Sequence, residues 1–196
     1  MSSDFFESNS YFIDEKVNLF KFENAYMLYD GKGQHIGAIK QKLTAGQKLL
    51  RLLINKSALP FMLEITNLDG KVQATVSRGW TFWMSKITIA DSNGQPLGTI
   101  SQKFKLFKPT FKIFDTAGIL VGQISGDWKA WNFKISDAKE NQIGVISKKW
   151  AGAMKEIFTT ADKYNVVIND DFADKKNKLV ILAGAITIDM VLKEAK

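Results

Sequence analysis

The 196-residue sequence has no cysteine and only one histidine. Without cysteine there is no disulfide framework, thiolate nucleophile, zinc finger or iron–sulfur ligation, and no attachment point for palmitate or a prenyl group. A sole histidine, His35, cannot by itself assemble a metal cluster or a nucleophilic triad. P-loop, GxGxxG and GxSxG patterns are also missing. A pair of carboxylates could still do acid–base chemistry, but Asp30, Asp69, Asp91, Asp115 and Asp137 all stand in turn-forming clusters that already account for them. The expectation is a protein that is not an enzyme and needs no cofactor. The opening MSSDFFESNSYF has neither the basic stretch nor the apolar core of a signal peptide, and Ser2 stands where myristoylation would need glycine. A cytoplasmic location is expected.

What is present is a basic, moderately hydrophobic chain, 45% apolar and 24% charged, with a formal charge of +7. Such a length suits one domain, residues 1–196, built on one large core. The charge is uneven: residues 1–24 carry Asp4, Glu7, Asp14, Glu15 and Glu23 against Lys16 and Lys21, a net of −3, which leaves +10 for the rest. That excess favours an anionic partner, nucleic acid or an acidic lipid surface.

Five segments repeat one pattern: MLYDGKGQHIGAIKQ (27–41), EITNLDGKVQATVSR (64–78), TIADSNGQPLGTISQ (88–102), KIFDTAGILVGQISG (112–126) and KISDAKENQIGVISK (134–148). Each is an alternating run, a polar cluster rich in Asp, Asn and Gly, then a second alternating run, which spells a β-hairpin. Adding strands near Tyr11–Phe20 and Asn165–Ile168 gives about twelve. A sheet that large is expected to curl or close, because open edges invite aggregation. Glycines 37, 98, 122 and 144 fall just inside second strands, where barrels place kinks and close backbone approaches. Helical spacing replaces alternation at Ala45–Asn55, after the N-cap candidate Thr44, at Trp150–Phe158, and near the C-terminus.

The one long hydrophobic run, LVILAGAITI (179–188), continues past Asp189 to Leu192. Its 14 residues to Leu192 would make a helix of about 21 Å, short of a hydrocarbon core of about 30 Å. Asp189 adds roughly 2.5–3.5 kcal/mol against insertion. A helix apolar all round is buried on every side, and the lumen of a twelve-stranded barrel is too wide for strand side chains alone to fill. The run is expected to be a core helix inside the barrel.

The order of these elements, with IDEKVNLFKFENAYMLYDGKG (13–33), GDWKAWNFKISDA (126–138), IGVISKKWAGAMKEIFTTADKYNV (143–166) and LVILAGAITIDMVLKEAK (179–196), resembles the phospholipid scramblase family, close to LURP-one-related and tubby-like proteins. The resemblance implies a mainly β, tubby-like closed barrel of about twelve strands around a buried hydrophobic C-terminal helix. It further implies peripheral association with membranes, binding of anionic phospholipid headgroups and a part in transbilayer lipid movement. The chain departs from the eukaryotic members in lacking their proline-rich N-terminal region and palmitoylated cysteine cluster. Their calcium loop aligns with TADKYNVVINDD (160–171), where only Asp162 and Asp171 stand at ligand positions and Lys163 lies inside. Two acids beside a lysine make a poor calcium site. A turn into the last strand is expected there, and no metal.

For the lipid site, the sequence singles out SQKFKLFKPTFKIF (101–114). Lys103, Lys105, Lys108 and Lys112 alternate with aromatics, and Phe107 falls beside the turn expected at Pro109. The plain alternative is two strands with lysines outward and phenylalanines inward. Basic–aromatic interleaving also occurs in nucleic-acid binders, so nucleic acid and a protein-interaction scaffold are the competing partners. Tryptophans 80, 83, 128, 131 and 150 are expected in the core, with one of Trp128 and Trp131 exposed. A monomer is expected.

Overall fold

The computed structural model describes residues 4–16, 25–50, 53, 59–80, 86–103, 110–127, 131–148, 163–172 and 175–194. Twelve antiparallel strands form a closed barrel: β1 Ser10–Lys16, β2 Ala25–Asp30, β3 His35–Lys42, β4 Phe61–Asn67, β5 Val72–Arg78, β6 Lys86–Asp91, β7 Pro96–Lys103, β8 Thr110–Asp115, β9 Leu120–Asp127, β10 Asn132–Asp137, β11 Gln142–Ser147 and β12 Lys163–Ile168. Each strand pairs with its sequence neighbours, and β1 closes the ring against β12 (Tyr11 opposite Val166). The mainly β closed barrel read from the five repeats is therefore the observed fold.

The five hairpins share one turn. In the first, the Asp30 N–H donates to Gln34 O and the Gly33 N–H to Asp30 O, both at 3.0 Å. The Asp30 carboxylate then accepts the N–H groups of Lys32 and Gln34, each at 2.9 Å. Asp91, Asp115 and Asp137 repeat this arrangement, while in the second hairpin Asn67, not Asp69, accepts the Lys71 N–H. Each turn needs a left-handed residue three places after the capping one, and its second strand carries a bulge. Gly118 (φ 80°) fills that place in one turn and Glu140 (φ 67°) in another.

Alternation sorts the strand residues by face. Inward positions such as Leu28, Ile39, Leu63, Val76, Ile89, Ile100, Ile113 and Ile135 are fully or almost fully buried. The outward positions include Lys40, Thr75, Ser77, Thr88, Thr99, Lys112, Gln123 and Lys134, where a membrane-spanning barrel presents an apolar band. The interior is filled by the C-terminal segment, α1 being the short helix Ala45–Leu50, α2 Lys175–Ile186 and α3 Ile188–Glu194. Helical bonding continues through Thr187, whose N–H donates to Ala183 O and whose carbonyl accepts the Val191 N–H. Every residue from Val180 to Val191 is buried, as the all-round apolar run predicts.

Glycines let neighbouring strands approach, and Gly98 and Gly122 also make room for this helix. At Gly37, Gly98, Gly122 and Gly144 a Cβ would meet a carbonyl oxygen of the neighbouring strand at 2.0 to 2.9 Å. At Gly98 it would also stand 2.9 Å from Val180 Cγ1, so strand, neighbour and helix converge there. Among the described residues, no helix is long and apolar enough to cross a membrane.

The first strand is observed only to Lys16, the rest of Tyr11–Phe20 lying outside the described residues, as does the helix expected at Trp150–Phe158. Of Ala45–Asn55, Ala45–Leu50 is helical and Leu53 lies in a turn; the others are outside the described residues. The strand expected at Asn165–Ile168 is observed, and the turn expected before it is corrected at Lys163 and Tyr164, which also belong to β12, because Tyr164 is needed inside the barrel, where its hydroxyl donates to the Ile186 carbonyl; 160–162 lie outside the described residues.

Candidate functional site

The meander has two unlike ends. The five repeated turns lie at one, together with the residues after β12 and the entry of α2, where the Lys178 ammonium donates to Glu7 O (3.0 Å) and to Asn9 Oδ1. The other end carries the connections into β2, β4, β6, β8, β10 and β12. Twelve strand termini face each end. At the turn end they include Asp30, Asp91, Asp115 and Asp137, and none is lysine or arginine. At the opposite end they include Lys16, Lys42, Arg78, Lys86, Lys103 and Lys163, with Asp127 the one acid. The barrel is acidic at its turns and basic at the other end.

Two of these bases are paired: Lys42 with Glu64 at 3.3 Å and Lys163 with Asp14 at 3.5 Å. Arg78 points inward, is 5% exposed, stacks its guanidinium 4.8 Å from the Phe61 ring centroid and donates to Leu59 O at 2.8 Å. Lys148, just beyond β11, lies 4.8 Å over the Trp131 ring, which packs in turn on Phe133 and Tyr164. Cations held on aromatic faces keep their charge while losing part of their hydration.

The last inward positions of β3, β5 and β7 are polar: Gln41, Arg78 and Gln102, the residues that close the first three repeats. Gln41 is 4% exposed and Gln102 5%, and among the described residues neither side-chain amide has a hydrogen-bond partner. The helix contributes Asp189, 6% exposed, which accepts the Tyr26 hydroxyl at 2.6 Å. A polar layer thus lies inside the basic end, below apolar layers of Ile and Val. The signal was present in the repeats, each of which ends one step after an apolar–polar alternation, but the face it would occupy was not.

Of the residues expected to bind lipid, Lys103 ends β7 and Lys112 lies on the outer face of β8, opposite Ser101 and Gln123. Lys105, Phe107 and Lys108 lie outside the described residues. Phe111 is buried and Phe114 half-buried on the outer face, so the inward reading of the phenylalanines holds for the first and is corrected for the second. Asp171 follows β12 at the turn end, whereas Lys163 opens the same strand at the basic end; Asp162 is outside the described residues. Trp131 is half-buried, but Trp80, expected in the core, is 56% exposed because it stands just past the end of β5. Trp83, Trp128 and Trp150 are outside the described residues, and His35 is exposed beside Tyr29.

At Asp137 the Asn141 side chain and two backbone N–H groups donate to the carboxylate and hold its pKa below the usual value. Burial, with Glu7 nearby, pushes the Tyr11 phenol above its ordinary range, and its hydroxyl donates to Phe5 O at 2.8 Å.

A family model described as Scramblase matches residues 14–194. The chain belongs to the scramblase family. It is 28% identical to human phospholipid scramblase 2 over 192 residues, covering 90% of this chain and 63% of that protein. It is 21% identical to the Saccharomyces cerevisiae protein named altered inheritance rate of mitochondria protein 25, covering 87% and 64%. Human phospholipid scramblase 1 is 29% identical over 119 residues, covering 57% and 37%. The chain thus spans less than two thirds of the length of these relatives. Among solved structures, that of an Arabidopsis thaliana protein aligns with a TM-score of 0.51 at 10% identity, covering 94% of this chain and 93% of that one, a likeness of fold.

Proposed function

We propose that this scramblase-family chain is a peripheral membrane protein that binds anionic phospholipid headgroups with the basic end of its barrel. The carrying observation is the distribution of charge over the strand termini: six bases and one acid at one end, four acids and no base at the other. An acidic leaflet attracts the first and repels the second, so the field of the protein orients it as well as holding it. Lys103, Lys105, Lys108 and Lys112 form part of this surface, with Phe107 at the interface. At about 1 kcal/mol for each lysine near an acidic surface, four supply roughly 4 kcal/mol, a millimolar affinity. The other strand-end bases add to it. Transbilayer movement of lipid is the finer reading that family membership supports.

Vesicle co-sedimentation tests this. Binding to phosphatidylserine-containing vesicles should weaken steeply with salt, because charges are screened over about 8 Å at physiological ionic strength. Changing Lys103, Lys105, Lys108 and Lys112 to Gln should lower it on the order of 100- to 1000-fold with an unchanged melting temperature. The pair Asp91→Asn and Asp115→Asn, which retains an oxygen for both turn contacts, should leave it nearly unaltered. Equal binding by the lysine variant and the parent would overturn the assignment of this patch. Retention on DNA in place of vesicles would overturn the lipid reading.

A further inference from the structure

The connection from β3 to β4 contains an element that the barrel core does not use. Helix α1 has no buried residue. Its six residues are far fewer than the roughly 12–15 that make an isolated helix even marginal in water. It is held locally instead: the Gln47 N–H donates to Thr44 Oγ1 (3.2 Å) while the Thr44 N–H donates to Gln47 Oε1 (2.9 Å). This is a reciprocal capping box. The Lys48 N–H donates to Thr44 O and, one turn on, the Leu53 N–H to Leu50 O, each at 3.0 Å.

This preformed turn displays apolar side chains to solvent. Leu49 is 63% exposed and Leu53 79%, and Trp80, beyond the end of β5, is 56% exposed. With Met62 near the start of β4, four of the six large exposed hydrophobics among the described residues belong to the β3–β5 section of the basic end. The other two, Leu68 and Ile119, stand singly on hairpin turns. Exposed apolar side chains on the same end of the barrel as Lys42, Lys48 and Lys86 suit a surface that is anionic outside and apolar beneath. A second copy of the chain would bring a like-charged end against this one, so charge disfavours self-association there.

We propose that α1 and the turn at Leu53, with Trp80, form the element that enters the headgroup–acyl boundary of an acidic bilayer. Leu49 and Leu53 pass below the headgroups while Lys42 and Lys48 stay among them. This rests on the reading that the basic end meets an anionic membrane.

The absence of cysteine supplies the test. Leu53→Cys carries a single environment-sensitive fluorophore, and Leu68→Cys, at a position 63% exposed on the turn end, carries the control. On vesicles of phosphatidylcholine and phosphatidylserine the label at 53 should shift to the blue and resist an aqueous quencher, while the label at 68 does neither. The unlabelled double variant Leu49→Gln, Leu53→Gln should partition on the order of 100-fold more weakly, with the same dependence on salt as the parent. Co-sedimentation with the label at 53 still in water would overturn insertion and leave the headgroup reading standing. No co-sedimentation under any condition would overturn both. A dimer in sedimentation equilibrium that the double variant converts to monomer, without loss of vesicle binding, would assign the cluster to a second copy and overturn the membrane.

Discussion

At one end of the barrel five hairpins close over turns with the same two backbone hydrogen bonds, and at the other every connection differs in length and composition. The turn end is fixed by local chemistry. A carboxylate or amide caps two backbone N–H groups, a left-handed residue follows, and the charge left over is negative. The opposite end departs from local rules and holds, among the described residues, buried amides without partners, a buried carboxylate and exposed leucines. Unmet polarity concentrates where a protein does something other than fold. The helix joins the two, entering among the turns and ending among the bases.

Cutting that join gives the largest expected effect. Truncation after Lys178 removes every buried residue from Val180 to Val191. Losses of about 2–5 kcal/mol for each large side chain exceed the roughly 5–15 kcal/mol that hold a domain together. No folded soluble protein is expected by circular dichroism. A truncated chain that remained folded and monomeric would show that neither end depends on the helix.

A smaller and opposite effect is expected from Gln102→Met at the basic end. It replaces a buried amide that lacks partners with an apolar chain of similar length, and should stabilise the protein by about 1 kcal/mol in urea denaturation. Destabilisation instead would show that the amide is satisfied in solution and that the basic end is as well resolved as the turn end.

At the turn end, Glu140→Gly should stabilise by somewhat less than 1 kcal/mol. Glycine relieves a left-handed penalty of about 1–2 kcal/mol but adds about 0.5–1 kcal/mol of unfolded-state entropy. The equivalent change at Lys139, whose φ is not in that region, should destabilise.

The smallest effect is a titration. Asp137 has a depressed folded-state pKa, so its contribution to stability is complete above the unfolded carboxylate pKa and fades as pH falls through the folded one. The side-chain hydrogen bond from Asn141 is the largest cause, and Asn141→Ala should raise the value observed by carboxyl NMR. An unchanged titration in that variant would assign the depression to the backbone N–H groups alone.

The repeats at 27–41, 64–78, 88–102, 112–126 and 134–148 made the hairpins legible, because alternation and turn chemistry are properties of neighbouring residues. The length of the apolar run and its single Asp189 likewise determined that the helix is buried and does not span a bilayer. Which strand lies beside which at the seam, and that Lys163 and Tyr164 extend β12, depended on Tyr11, Ile13 and Tyr164 all needing the interior. The gathering of Lys42, Arg78, Lys86 and Lys103 at one end, far apart along the chain, is a consequence of barrel closure. So is the inward face of Gln41 and Gln102, which alternation alone leaves as one of two. Sequence by itself determined the turns, the strands and the fate of the helix, since those depend on contacts within a few residues. Only tertiary structure decided the two ends and what each presents, because charges spaced over the whole chain acquire a common surface only when the sheet closes.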